Sequence, residues 1–293
     1  MQTLRVINLG LNEEIKFDMS GDILLSHIEG LGIPDVTSET TQSPLQDGSD
    51  IHGVLLGNRV IRLDITIRAI DRKKLYELRR KILRVINPRT YNVKSEKRGE
   101  LLLFYTNDYK TYRIYANVED TIDFKERFGN NDKSQIIFTA HNPYLLDEEN
   151  TKLVIKKCSG GLKFPLKLKT RFANVGYKRD YENNSDTDIP VKIKYFGPVI
   201  NPKITNETTG ESIKVNRTLE ESDILEINTE DGKQTVNIIK ENGTTENVFH
   251  WIDLENRDFF KLIIGRNIIS YSGDDESHSG NIELEFARKW VGT

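Results

Sequence analysis

Ile61, Leu63, Ile65, Ile67 and Ala69 alternate without a break with Arg62, Asp64, Thr66 and Arg68. A period of two sustained over residues 61–69 describes a strand with one face in a core and the other in water. A slip of one residue would bury the charges, so the register is fixed as well. The strand runs directly into Asp71, a good N-cap. In the segment from Arg72 to about Ile86 that follows, Leu75, Leu78, Ile82 and Val85/Ile86 recur at helical spacing. Asn87-Pro88 ends that segment, because proline disfavours helical geometry in the residue before it. No helical period of useful length appears after Pro88, so the chain is expected to be mainly β with one α-helix.

Elsewhere the apolar residues fall in short runs separated by turn chemistry. Leu4–Leu9, Glu14–Met19 and Ile23–Ile28 read as an opening meander, and Glu100–Tyr105 and Tyr109–Val118 as a hairpin about Asn107-Asp108, with Lys133–Ala140 as a further strand. Residues 1–145 therefore read as a β-sandwich of roughly seven strands with the helix packed on it. Leu31–Gly53 has no apolar period and contains Gly-Ile-Pro, Ser-Pro and Gln-Asp-Gly. A connection that long inside a compact domain is either a disordered loop or an arm that reaches elsewhere.

Pro143–Asn150, ending on Asp-Glu-Glu-Asn, marks a boundary, and 146–293 reads as a second all-β domain of sandwich or jelly-roll type. Lys152–Lys157, Lys163–Lys169, Ile189–Phe196, Val236–Lys240, Phe249–Leu254, Phe259–Ile264, Asn267–Tyr271 and Asn281–Phe286 are its candidate strands, with Tyr181–Asp188 as a polar loop. In the meander from Phe196 to Val236, Asp231-Gly232 predicts a two-residue type I′ hairpin turn.

The residue types exclude several functions. With 42 basic against 45 acidic residues and a net charge of −3, no overall field draws in nucleic acid or an anionic membrane. The helix does carry Arg72, Lys73, Lys74, Arg79, Arg80, Lys81 and Arg84 against only Asp71 and Glu77. A helix-turn-helix would need a second packed helix, and none is visible, so the basic face reads as a solvated or partner-facing surface. Cys158, the one cysteine, has Lys157 beside it but no base assigned to it, and reads as inert and dispensable. Asp274-Asp275-Glu276-Ser277-His278 lacks the spacing of a calcium loop. Glu148-Glu149 and Glu220-Glu221 are adjacent, so in extended chain they point apart and cannot serve as an acid/base pair. With no phosphate-binding glycine loop, no Cys-x-x-Cys and no Gly-x-Ser-x-Gly, nothing recommends an enzyme, a cofactor or a metal. The start lacks a charged segment followed by an apolar one, and no run is long enough to span a bilayer, so synthesis in a cytoplasm without a signal peptide is expected, and no membrane partner.

Several stretches resemble the siphophage distal tail protein (Dit) family. Gly197-Pro198, Pro202-Lys203-Ile204, Asn206-Glu207-Thr208-Thr209-Gly210-Glu211 and Leu225-Glu226-Ile227-Asn228-Thr229 look like its C-terminal domain. Asp47-Gly48 ahead of Gly57–Ala69 and the helix, and His141-Asn142-Pro143-Tyr144, are similar to its tail-tube-like N-terminal domain. Ile263-Ile264-Gly265-Arg266-Asn267 and Trp290-Val291-Gly292 resemble its Pro-Gly-x-Asn and Trp-x-Gly signatures, with Ile264 in place of the proline. The resemblance implies a non-enzymatic virion protein of a long non-contractile tail. Its tail-tube-like domains would form a hexameric ring, possibly two rings back to back, and its galectin-like β-sandwiches would project outward. The tail tube protein, the tail tip protein and receptor-binding proteins are the implied partners, and DNA passes through the channel without being read. It also implies that the Leu31–Gly53 side of the fold embraces a neighbouring subunit. Pro34, Thr37, Pro44, Asp47, Gly48, Arg79, Arg80 and Arg84 are thus the expected interface residues. The alternative is a carbohydrate-binding β-sandwich module in which Trp251, Tyr271 and Trp290 stack on a sugar.

Overall fold

The computed structural model describes residues 2–93, 96–124, 126–156, 178–274 and 280–293. The chain divides into two units, Met1–Glu148 with Trp290–Thr293, and Glu149–Lys289. The last four residues expected in the second domain thus fold with the first.

In the first unit one sheet runs in the order Glu13–Phe17, Thr3–Asn8, Leu101–Thr106, Thr111–Val118, Asn131–Ala140, Arg59–Arg68, Ile23–Glu29. The end strands of this path are neighbours in sequence and bridge at Asp18 and Leu24, so the sheet curls around a single core. Strict alternation drives the curl. Leu4, Val6, Ile15, Phe17, Ile61, Leu63, Ile65, Ile67, Leu103, Ile114, Ile136 and Phe138 all lie buried in that one cluster.

The helix spans Arg72–Val85 and starts where Asp71 Oδ1 accepts from the Lys74 N–H at 2.7 Å. It buries Leu75, Leu78, Ile82 and Val85 on the sheet, each worth about 1.5–3 kcal/mol in apolar area removed from water. Buried Asn8 ties its far end to the first strand by donating Nδ2–H to the Val85 carbonyl at 2.6 Å.

The second unit is a sandwich. One sheet runs Thr151–Ile155, Ile282–Phe286, Lys192–Phe196, Ile224–Asn228, Thr235–Ile239, Thr245–Asn247, and the other Lys178–Asn183, Gly265–Ser272, Lys203–Asn206, Glu211–Val215, Ile252–Arg257. Ile193, Tyr195, Leu225, Ile227 and Val236 from the first sheet share a core with Ile204, Ile213, Val215, Ile269 and Tyr271 from the second.

Local expectations need correction at several points. The hairpin at Asp231-Gly232 exists, but its connection spans 229–234. Within it only Gly232 has positive φ, +73°, and Lys233 N–H bonds the Glu230 carbonyl, which is not a two-residue type I′ turn. Tyr181–Asn183, expected in a polar loop, pairs with Gly265–Asn267, and Tyr181 packs edge-on against Phe286 at 4.8 Å. Phe249–Trp251 is a 3₁₀ turn rather than the start of a strand, and the strand expected over Phe259–Ile264 shrinks to Lys261–Leu262. Lys163–Lys169 and Cys158 lie outside the described residues.

Candidate assembly interface

Leu31–Gly53 is not structureless. Val36–Thr41 and Asp50–Leu56 pair as an antiparallel two-stranded ribbon that joins no other sheet among the described residues. Its sequence hides the pattern because threonine and serine fill the strand positions on one side and a register shift between Glu39 and Thr40 breaks the period on the other. Cross-strand partners share a face, so Val36–Leu56, Ser38–Val54 and Thr40–Ile51 lie on one side. Thr37–Leu55, Glu39–Gly53 and Thr41–Asp50 lie on the other. The first face is apolar and uncovered in its own chain, with Val36 53%, Val54 60% and Ile51 65% exposed. Of the residues expected at an interface, Thr37 stands in the first strand of this arm, and Pro44, Asp47 and Gly48 form its tip beside fully exposed Leu45. Pro34 is buried at the root.

The root is fixed by a residue that no sequence pattern marks. Arg59 follows the arm and is fully buried. Its Nη1 donates to the carbonyls of Gly30 and Gly32, both at 2.7 Å, its Nε to Pro143 at 2.6 Å and its Nη2 to Val291 at 2.6 Å. One guanidinium therefore ties together the chain entering the arm, the His-Asn-Pro-Tyr stretch and the C-terminal Trp-x-Gly. No carboxylate is among these partners. Burial pulls the Arg59 pKa below the usual guanidinium value, while the four carbonyl dipoles hold its charge in place. Gly30, at φ +87°, admits no side chain, since a Cβ would sit 1.9 Å from the Val60 carbonyl oxygen. Thr293 N–H bonds the Leu31 carbonyl at 3.1 Å, and Trp290 Nε1–H donates to Asp147 Oδ1 at 2.7 Å with Lys110 Nζ 4.1 Å over its ring.

The basic helix does not present all its expected cations. Arg79 is turned onto the fully buried Asp132 carboxylate and lies over the rings of Phe124 and Tyr76, so its charge is already paired within its own chain. Arg84 pairs with Glu13 at 2.6 Å while remaining exposed, and Arg80 is exposed. Among the described residues Arg72, Lys73, Lys74, Arg80 and Lys81 make no ion pair.

The residues that would stack on a sugar are not brought together. Tyr271 is core and its hydroxyl donates to the Gly280 carbonyl at 3.0 Å. Trp251 sits on the 3₁₀ turn under Arg217, and Trp290 belongs to the first unit. Asp274 is spent on Asn201 and Lys214, and these bonds to Asn201 and then Lys214 hold its carboxyl below the usual range. The two signature stretches of the second unit meet instead in a structural lock. Fully buried Asn267 donates to the Ile263 and Gly265 carbonyls and accepts from Ile263 N–H at 3.0 Å. It also accepts from Asn206 Nδ2 at 3.1 Å. This lock holds the turn where Ile264 stands in place of a proline.

Two family models match, in order. Residues 13–140 match the phage tail protein RIFT-related domain, and residues 183–290 match the C-terminal domain of the siphovirus-type tail component. A search of curated proteins finds no match. Among solved structures the chain is similar to the SPP1 Dit (gp 19.1) protein, described as a paradigm of the hub adsorption apparatus in phages infecting Gram-positive hosts. The two are 11% identical, with a TM-score of 0.66 over 98% of this chain and 99% of that one. It is also similar to chains of the phage P2 baseplate in its activated conformation. With calcium the identity is 15% and the TM-score 0.54, and with strontium 17% and 0.53, each over 100% of both chains. At these identities the structural likeness speaks for the fold.

Proposed function

The chain belongs to the siphophage distal tail protein family, and from that premise we propose that it is the ring-shaped hub at the distal end of a long non-contractile tail. In this reading the first unit closes a six-fold ring around a channel through which DNA passes unread, and two such rings back to back make the larger form. The second unit faces outward, toward the tail tip and receptor-binding proteins. The role is structural rather than enzymatic, and its place is the virion.

The observation that carries the reading is the arm. A two-stranded ribbon of six and seven residues carries an apolar face that the described residues of its own chain leave exposed, on a root held by a buried arginine. Exposed apolar area of this kind is costly in a free monomer and favourable once a neighbour covers it. A ring supplies that neighbour to every copy, because a head-to-tail contact closes only when each subunit offers both an arm and a seat.

Deletion of Thr37–Pro44 tests this. The shortened chain should keep its β-rich circular dichroism spectrum and lose assembled mass in native mass spectrometry. Rings of unchanged mass and stability would remove the arm from the account.

A further inference from the structure

We infer that the arm of one copy docks along the outward row of the helix, Lys73, Tyr76, Arg80 and Leu83, of the next copy. This inference rests on the ring reading above and names the surface that receives the arm.

Charge is the first observation. Between Leu31 and Asn58 the chain has no lysine or arginine, while Asp35, Glu39, Asp47 and Asp50 are spread from root to tip. None of these four carboxylates makes an ion pair among the described residues. The helix has the reverse character, with Glu77 as its one acid and five cations without an ion pair.

The second observation is that the helix carries its cations against its own interest. Its first turn has no acidic residue and instead holds Arg72, Lys73 and Lys74. Peptide dipoles make that end positive, so cations there are disfavoured where an acid would help. Such a placement is understandable if an anionic surface from outside neutralises it.

Pattern and size also agree. Opposite the buried stripe of Leu75, Leu78, Ile82 and Val85, positions 73, 76, 80 and 83 recur at helical spacing as cation, apolar, cation, apolar. Tyr76 and Leu83 are 53% and 40% exposed. These two would take the apolar face that carries Val36, Val54 and Ile51. The flexible stems of Lys73 and Arg80 would reach round the narrow ribbon to its carboxylates. A helix of 14 residues is about 20 Å long, and strands of six and seven residues extend about 20–23 Å. The ribbon therefore covers the whole helix and no more.

The test is a charge swap in the full-length chain. Glu39→Lys with Asp50→Lys on the arm, and separately Lys73→Glu with Arg80→Glu on the helix, should each weaken assembly by roughly tenfold or more. Circular dichroism should stay unchanged. All four substitutions together should restore assembly toward the original. The inference is overturned if either pair alone leaves the assembled mass unchanged, or if the four together give no recovery. If deleting Thr37–Pro44 dissolves the ring while the charge pairs do not, the ring reading stands and the seat on the helix is wrong. If the deletion leaves the ring intact, the ring reading through the arm fails first.

Discussion

Arg59→Met is the substitution from which most follows. It replaces the buried guanidinium with an apolar chain of similar length and leaves the carbonyls of Gly30, Gly32, Pro143 and Val291 without their donor. Hydrogen bonds to a charged group contribute about 1.5–3 kcal/mol each, so simple addition over the four would use up most or all of the stability a domain typically has. The four bonds share one donor and are not additive. Arg59 also bears a burial cost, visible in its lowered pKa, and water can reach some of the freed carbonyls. A net loss of about 3–5 kcal/mol is therefore expected.

Urea unfolding followed by the fluorescence of Trp290, with Trp251→Phe as background, reads the first unit alone, because these are the only two tryptophans. Hydrogen exchange should show protection falling first at the Gly57 amide, which bonds the Asp35 carbonyl at 2.7 Å across the arm's root. Arg59→Lys should fall between the two, since one nitrogen keeps the charge but cannot span four carbonyls. A cost below about 1 kcal/mol for Arg59→Met would refute the claim that this residue holds the root together.

Further outcomes follow from other contacts. Arg79→Ala strands the fully buried Asp132 carboxylate and should cost about 3–5 kcal/mol in denaturant unfolding, whereas the double variant Arg79→Ala/Asp132→Ala should recover much of it. Burial alone would raise the Asp223 carboxyl, but Lys240 at 2.8 Å and the Glu220 N–H hold it below its ordinary value. Its contribution is therefore present above the unfolded carboxylate pKa and lost as pH falls through the lower folded one. Asp223→Asn should destabilise the second unit by about 1–3 kcal/mol at pH 7, and its stability should change less than that of the parent as pH drops below about 4. Removing Trp290–Thr293 deletes the Asp147, Leu31 and Arg59 contacts, so melting of the first unit should shift down while that of the second unit in the same chain stays unchanged. Asn267→Ala should cost the second unit about 2–4 kcal/mol, since it removes a fully buried side chain and leaves the half-buried Ile263 turn without its partners.

The strand and helix around Ile61–Val85 were legible because their periods are unbroken and their ends carry an N-cap and a proline. The arm was not legible as a ribbon, because threonine, serine and aspartate occupy strand positions that no core demands, and a bulge at Glu39/Thr40 interrupts the alternation. Its length and polarity pointed only to something unusual. Arg59 was invisible for a different reason. A single arginine at the end of an alternating strand reads as a solvated charge, and only the fold brings Gly30, Pro143 and Val291 to it. Arg79 was misread as an outward cation because helical position gives the direction of a side chain's first bond and not the reach of a long one. The Asn206–Asn267 contact joins two stretches that the sequence singled out separately.

The most direct measurement of the central claim is the native mass of the full-length chain together with electron-microscope images of the same sample. A hub ring should weigh six times the 33.8 kDa of one chain, or twelve times for paired rings, and appear as six-fold particles with an open channel and each arm laid on its neighbour. A monodisperse 33.8 kDa species at all concentrations, or an assembly in which the arms touch no neighbouring copy, would contradict it.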